Sequence, residues 1–454
     1  MTELTELRDL RRFRPYPQYR DSGIEWLGEV PIDWEVHRLK FLLQEPLQYG
    51  ANEPAEMTDP NLPRYIRITD VGEDGRLRDD TFRSIPEDVA RPYLLEYGDL
   101  LFARSGATVG KTFRFEPGWG KAAHAGYLIR ARLKSQACSS RFVQYFTTSR
   151  GYWDWLRSNF IQATIQNVSA DRYSNLEIPL PELREQLAIA DFLDRKTANI
   201  DALVAKKERL IELLQEKRTA LITRTVTRGL DTNVPMKNSA VEWLGEIPAH
   251  WHLRPLKRVS PEVTVGVVVN PSTYVRTDGV PFLYGSDIRE GRIVADTARR
   301  MSEEDSRSLS KSRLRAGDLV CVRVGAPGVT AVVPPELQGA NCASVLIVRH
   351  AGTFDSQWLC YAMNSRLVRH QVALVQYGAA QEQFNVAHAV EFVVPLAPQP
   401  EQRDIAVFLD HETAKIDALV AKVHEAIDNL NEFRTALISA AVTGKIDVRE
   451  AVPL

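Results

Sequence analysis

The sequence predicts an α+β protein: two tandem mixed α/β globules separated by two long helices that pair as an antiparallel coiled coil, with pseudo-twofold symmetry. Three observations predict it. The 454 residues exceed what one ordinary core accommodates. The chain repeats itself after about 217 residues, far too long a period for a solenoid, so a whole unit is duplicated. Within each unit, short strand-like runs give way at a proline boundary to seven-residue helical spacing.

After an N-terminal extension (1–22), GIEWLGEVPIDWEVHRLK at 23–40 is answered by AVEWLGEIPAHWHLRPLK at 240–257. Trp26 and Trp34 thus correspond to Trp243 and Trp251, and all four are read as core anchors. The first globule spans 23–181 and the second 240–398. In the first, the apolar runs DLLFAR, AGYLIRARL and NLEIPLP between Gly, Pro and Asp turns read as strands, and LVCVRV, ASVLIVRH and EFVVPL take the same places in the second. Helical stretches at 141–160 and 358–375 make each globule mixed. Pro179 and Pro181 close the first, and Pro395, Pro398 and Pro400 the second.

The helices follow at 182–228 and 399–446, joined through a connector (229–239) and the second globule, with a short tail at 447–454. In the second helix Leu409, Ile416, Val423, Leu430 and Leu437 fall seven apart, with Ile405, Leu419, Ala426 and Phe433 as companions and Glu412 interrupting. The first repeats this with Leu193, Ile200, Leu214 and Leu221 beside Ile189, Leu203 and Leu210, softened by Lys196, Lys207 and Lys217. Roughly 40 residues without Gly or Pro give about 60 Å of helix. Helices of this length pair with each other or serve as core helices of separate domains; the heptads favour pairing. EQLAIADFLDRKTANIDALVAK (185–206) and EQRDIAVFLDHETAKIDALVAK (401–422), then RTALI at 218–222 and 434–438, are the best-kept repeats, whereas the globules between the landmarks diverge.

A net charge of −2 argues against a uniformly basic nucleic-acid binder, although arginines concentrate at 289–323 and the last fifty residues lean acidic. The first residues lack a secretory apolar core, and no run is long enough to span a bilayer. Cys138, Cys321, Cys342 and Cys360 form no CxxC pair, which fits the reduced thiols of a cytoplasmic protein. The scattered histidines, His124, His250 and His388 among them, read as structural, and no metal or cofactor is implied.

One string tempts a catalytic reading. SGATVGKT (105–112) resembles a phosphate-binding loop, but Ser105 stands where the first glycine belongs, and the second unit's VGAPGVT (324–330) has no lysine. A Gly-rich turn offering Arg104 and Lys111 to a DNA backbone is the functional alternative, and a plain tight turn the structural one. The polar segments Gln162, Thr164, Gln166 and Asn167, and Gln381, Gln383 and Asn385, carry amides that suit adenine readout, or form a polar turn. Thr69-Asp70 and Ser286-Asp287 fit Asx-type turns better than base contacts. No methyltransferase, nuclease or hydrolase constellation is evident.

The Trp-containing segment and its echo, GDLLFARSGATVGK with GDLVCVRVGAPG, and the two EQ…FLD…IDALVAK helices resemble specificity subunits of type I restriction–modification systems over all but the first twenty residues. The resemblance implies that each globule is a target-recognition domain reading one half of a bipartite DNA site. The helices would be the ruler and the dock for two methyltransferase subunits, with restriction subunits joining; the subunit itself performs no chemistry. It assigns DNA contact to Arg67, Thr69, Arg104, Ser105, Thr108, Lys111 and the first amide segment, and to Ser286, Arg323 and the second. Partner contact falls to Glu185, Gln186, Phe192, Glu401, Gln402 and Phe408. A coiled-coil scaffold without sequence-specific DNA binding is the rival, and a nucleotide hydrolase built on the loop at Ser105 the third reading.

Overall fold

The computed structural model describes residues 13–72, 75–106, 108–158, 167–260, 262–377 and 384–449. The chain divides into two compact units, residues 1–207 with 424–454, and residues 208–423. Each long helix, Leu183–Arg228 and Gln399–Val442, therefore belongs partly to one unit and partly to the other.

In the first unit a hairpin of Tyr19–Asp21 and Glu29–Pro31 precedes Glu35–Arg38, which pairs antiparallel with Glu177–Leu180 and so joins the start of the globule to its end. The central sheet is antiparallel in the order Gln48–Tyr49, Leu128–Ala131, Leu100–Ala103, Thr112–Arg114. A parallel pair, Arg64–Ile66 with Ala122–His124, forms a second layer. The second unit repeats the plan: a hairpin (Met236–Asn238, Glu246–Pro248), a closing pair (His252–Pro255, Val393–Leu396) and a sheet in the order Val263–Val265, Leu346–Val348, Leu319–Cys321, Thr330–Val332. Every strand expected from the apolar runs is present.

The two expected helical stretches are each broken in two. Ser140–Phe146 and Arg150–Ser158 replace the first, and Ser356–Asn364 and Arg366–Tyr377 the second. The breaks fall at Thr147, Thr148 and Ser365, whose hydroxyls donate to the carbonyls of Gln144, Tyr145 and Ala362 at 2.6–2.8 Å and compete with helix continuation.

The tryptophan expectation holds for Trp34 and Trp251, which are fully buried. Trp26 packs on Phe146 (centroids 6.2 Å apart), but Trp243 is 41% exposed. The residue in the second unit corresponding to Phe146 is Ala362, so no ring lies there to bury Trp243 against; it lies beside His370 instead.

Both units pair the two long helices antiparallel. In the first, Arg434 reaches Asp201 at 3.0 Å while Arg449, just beyond the second helix, lies by Glu185 at the start of the first. In the second, Arg218 reaches Asp417 at 3.1 Å, and Ile222 and Val226 share a core with Ile405 and Leu409. The repeated IDALVAK and RTALI strings thus meet each other's copies. One detail differs from expectation: Leu203, Leu210 and Leu419 are exposed, and the companion seam lies one residue later, at Thr197, Val204, Ile211 and Arg218, and at Thr413, Val420, Ile427 and Arg434. The threonines sit on the seam because each accepts or donates to a globule tyrosine hydroxyl, Tyr145 (3.3 Å) or Tyr361 (3.1 Å).

All four cysteines are buried free thiols, and burial pushes them up, Cys321 to about 11 and the others to about 12. No helix among the described residues is long and apolar enough to cross a membrane. His124 is buried between the carbonyls of Tyr93 (3.1 Å) and Gln48 (3.3 Å), and burial outweighs these contacts, lowering its pKa to about 4. Below about pH 6.5 the unfolded chain takes up a proton that the folded chain refuses until about pH 4, so stability falls across that window. Replacing His124 with Gln is expected to flatten this part of a stability-versus-pH curve measured by denaturant titration; an unchanged slope would refute the assignment.

Candidate nucleic-acid interface

In the first unit the strand Leu100–Ala103 runs into the Gly-rich turn and returns as Thr112–Arg114. The turn is therefore a strand-to-strand hairpin, not the strand-to-helix passage that a nucleotide loop requires. Its backbone amides are used internally: Val109 donates to the Gly106 carbonyl, Gly110 to Ala103 and Lys111 to Thr108, at 2.9–3.1 Å. Gly110 has φ +86° and a Cβ there would lie 2.1 Å from Leu156, so this glycine serves packing. The nucleotide-hydrolase reading fails on this geometry.

The turn and the amide segment are brought together. Ser105 forms a backbone bridge with Asn167, and the Val168 amide donates to the Arg104 carbonyl at 2.8 Å. The Arg104 guanidinium lies over the Tyr49 ring, 4.7 Å from its centroid, with a long 3.5 Å contact from Nε to Asn167 Oδ1. The Arg104 amide donates to the carbonyl of Tyr127, whose side chain is 65% exposed. Tyr49, Arg104, Ser105, Tyr127 and Asn167 therefore form one patch, with Thr108 half-buried and Lys111 exposed in the adjoining turn. Tyr49 and Tyr127 escaped the sequence reading. Gln162, Thr164 and Gln166 lie outside the described residues.

Arg67 is engaged by a buried carboxylate in a neighbouring turn. Asp70 is buried and accepts from the Arg67 backbone amide at 2.8 Å and from its guanidinium at 2.7 and 3.0 Å; Arg67 also donates to the Thr81 carbonyl. Asp287 accepts from the Tyr284 amide at 2.7 Å in the same way. Both aspartates cap 3-10 turns, as the Asx reading held, while Thr69 and Ser286 are exposed.

The second unit departs in chemistry. Arg323 donates from Nε to the Phe384 carbonyl at 2.9 Å, clamping the chain where the first unit has Val168. Asn385 caps the helix Val386–Ala389 through its side-chain oxygen, the role Ser169 plays in the first unit. Val268, Val269 and Val324 are exposed. Gln381 and Gln383 lie outside the described residues. The arginine-rich stretch is partly spent within the unit: Arg299 stacks on Tyr284, Arg300 donates to the Gly279 carbonyl and Arg307 pairs with Glu303.

Of the residues assigned to partner contact, Gln186, Gln402 and Phe192 turn inward. Gln186 is fully buried, accepting from the Ser139 amide at 2.8 Å and donating to the Pro181 and Ala137 carbonyls. Gln402 does the same with Asp355 and Ala397. Phe192 is buried against Phe13, and Phe408 is partly buried in the second unit's core. Glu185 accepts from the Tyr16 hydroxyl (2.6 Å), and Glu401 from Trp251 Nε1 (2.7 Å) beside His250. These residues fasten helix to globule; Gln186, Gln402 and Phe192 are buried, whereas the Glu401 side chain stays 40% exposed.

A second repeated motif gains its reason here. In both units the Asp of Gly-Asp-Leu is buried and salt-bridged to an arginine of the neighbouring strand or its end: Asp99 to Arg132 (2.8 Å), Asp318 to Arg349 (2.6 Å). Among the described residues no group of three or more His, Cys, Asp or Glu side chains could hold a metal.

Residues 65–213 match the type I restriction modification DNA specificity domain. The chain is 22% identical over 427 residues to the type I restriction enzyme MjaVIII specificity subunit of Methanocaldococcus jannaschii, covering 92% of this chain and 94% of the relative. It is 24% identical over 440 residues to the EcoKI specificity subunit of Escherichia coli K12, covering 92% and 90%. Two solved structures share the fold: a chain from work on complex assembly and conformational transition of the type I R-M system (TM-score 0.62, 18% identity, 91% of this chain and 98% of that one), and the HsdS subunit from Thermoanaerobacter tengcongensis (TM-score 0.50, 17% identity, 92% and 98%). The fold is shared with these two chains, and residues 65–213 carry the matched DNA specificity domain. Over more than nine-tenths of its length the chain is similar to type I specificity subunits.

Proposed function

We propose that this chain reads a bipartite, asymmetric DNA site, one half with each globule, within a complex of methyltransferase and restriction subunits in the cytoplasm. The observation that carries it is one scaffold bearing two unlike surfaces. The first globule offers Tyr49, Arg104, Tyr127 and Asn167, and the second Val268, Val269 and Val324 beside a committed Arg323. Arginine and amide groups suit purine edges, and exposed valines suit the thymine methyl, so the half-sites differ in sequence. Helices of about 60 Å suit half-sites one to two duplex turns apart, at ~34 Å per turn. The outward Leu203, Leu210, Leu213 and Leu419 offer apolar helix surface to two methyltransferase subunits.

Co-expression with a type I methyltransferase subunit, followed by sequencing of methylated adenines, tests the reading. The expected result is a two-part motif with dissimilar halves. A complex that assembles yet yields no bipartite motif would overturn it and leave a coiled-coil scaffold.

A further inference from the structure

The two units differ at one place where their construction otherwise agrees: the cradle beside the glutamate of the EQ string. In the first unit that cradle is full. Tyr16 is buried there, its hydroxyl donating to Glu185 at 2.6 Å, its ring 5.7 Å from that of Trp34, and the Arg449 guanidinium lies 4.9 Å over it. Ile446, following the second long helix, is covered by the same cluster and is 4% exposed.

In the second unit the counterparts are Glu401, Trp251 and Leu230. The hairpin register that pairs Tyr19 with Pro31 pairs Met236 with Pro248, which sets Asn233 where Tyr16 stands. Asn233 is exposed. No tyrosine stands at the position of Tyr16, although Arg228 and His250 lie along the cradle, and Leu230 is 42% exposed where Ile446 is 4%. A cavity of about 250 Å³ opens instead, walled by Leu230, Val234, Pro248, Ile405 and Glu401. The Glu401 side chain is 40% exposed against 15% for Glu185. Its carboxylate binds Trp251 and His250, and a carboxylate accepts about four hydrogen bonds, so capacity remains.

The cause of the difference is chain count. In the first unit two segments, 13–21 and 444–449, build the cradle; in the second, the single connector following Arg228 does so alone. At about 250 Å³ the cavity has room for one or two protein side chains. Its apolar wall matches a ring, and Glu401 with Asp404 at the rim matches a phenol donor and a neighbouring cation.

We propose that this cavity takes a tyrosine side chain, flanked by a basic residue, from a partner polypeptide, completing in the second unit the cradle that Tyr16 and Arg449 complete in the first. The proposal stands independently of DNA recognition.

The probe is a synthetic peptide, Phe-Arg-Pro-Tyr-Pro-Gln, the chain's own residues 13–18, titrated calorimetrically into the full-length chain. Saturable one-site binding in the millimolar range is expected, weakened roughly tenfold when the peptide's tyrosine is phenylalanine. Leu230→Trp, which fills the cavity from a half-exposed position, is expected to abolish binding. Should that variant misfold by circular dichroism, Glu401→Gln keeps an acceptor for Trp251 but loses the charge, and is expected to weaken the peptide. Absence of saturable binding, or binding indifferent to the cavity variant that folds, overturns the proposal.

Discussion

Arg349→Met is expected to be among the most damaging single substitutions in the second unit, with a loss of about 3–5 kcal/mol. Arg349 is buried and donates from Nη1 to Asp318 (2.6 Å) and the Arg313 carbonyl (2.8 Å), and from Nη2 to the Lys311 carbonyl (2.7 Å). Methionine fills the volume but leaves Asp318, itself buried, as an unpaired charge and two carbonyls without a donor. Asp318 would retain only the backbone amides of Arg315 and His350. At about 2–4 °C per kcal/mol for a unit of this size, the melting transition should drop by roughly 10 °C. Adding Asp318→Asn to Arg349→Met should restore part of the loss, so the double variant costs less than the sum of the singles. Additive losses would mean that the two side chains are not coupled. In the first unit Asp99→Asn is expected to cost less than Asp318→Asn. Arg132 keeps Glu45 (3.1 Å) and Glu96 (2.8 Å), whereas the other carboxylate near Arg349, Glu262, is 3.7 Å away.

Much of the scaffold was legible because its parts must mate with each other's copies. Asp201 needs Arg434 and Asp417 needs Arg218, so both strings are kept in both units and the duplication is visible by eye. The Gly-Asp-Leu motif is kept for the same kind of reason, through Arg132 and Arg349. The seam was placed one residue off because apolarity was its sole marker. Leu203 and Leu210 are apolar and exposed, whereas Thr197 and Arg218 are polar and inward, held there by Tyr145 and Asp417. A threonine's partner on a distant helix leaves no periodic trace.

The same limit explains why the burial of the EQ glutamines was not legible. A polar dipeptide at a helix start reads as surface, yet Gln186 supplies three main-chain groups, and Gln402 two, with a hydrogen-bond partner where helix meets globule. The recognition patch was half legible. Arg104 and Asn167 carry chemistry that a sequence announces. Tyr49 and Tyr127 are unremarkable residues near strand ends, joined to Arg104 only by the sheet order that sets Gln48–Tyr49 and Leu100–Ala103 on either side of Leu128–Ala131.

That patch makes a sharp distinction between two cations a few residues apart. Arg104 lies over the Tyr49 ring, 4.7 Å from its centroid, so its planar fork has a support before any nucleic acid arrives. Lys111 is exposed on the turn and acts as a point charge. If the first globule reads DNA as proposed, Arg104→Ala should cost about 1–3 kcal/mol of binding and relax base preference at one position of one half-site. Tyr49→Ala should follow it in direction, because the guanidinium then loses its support. Lys111→Ala should weaken all sequences alike and lower the slope of log affinity against log salt by about one. The measurement is binding by the assembled methyltransferase complex to an array of half-site variants across a salt series. Relaxation in both half-sites after Arg104→Ala, or a changed base preference after Lys111→Ala, would show that the patch holds the backbone and that sequence is read elsewhere.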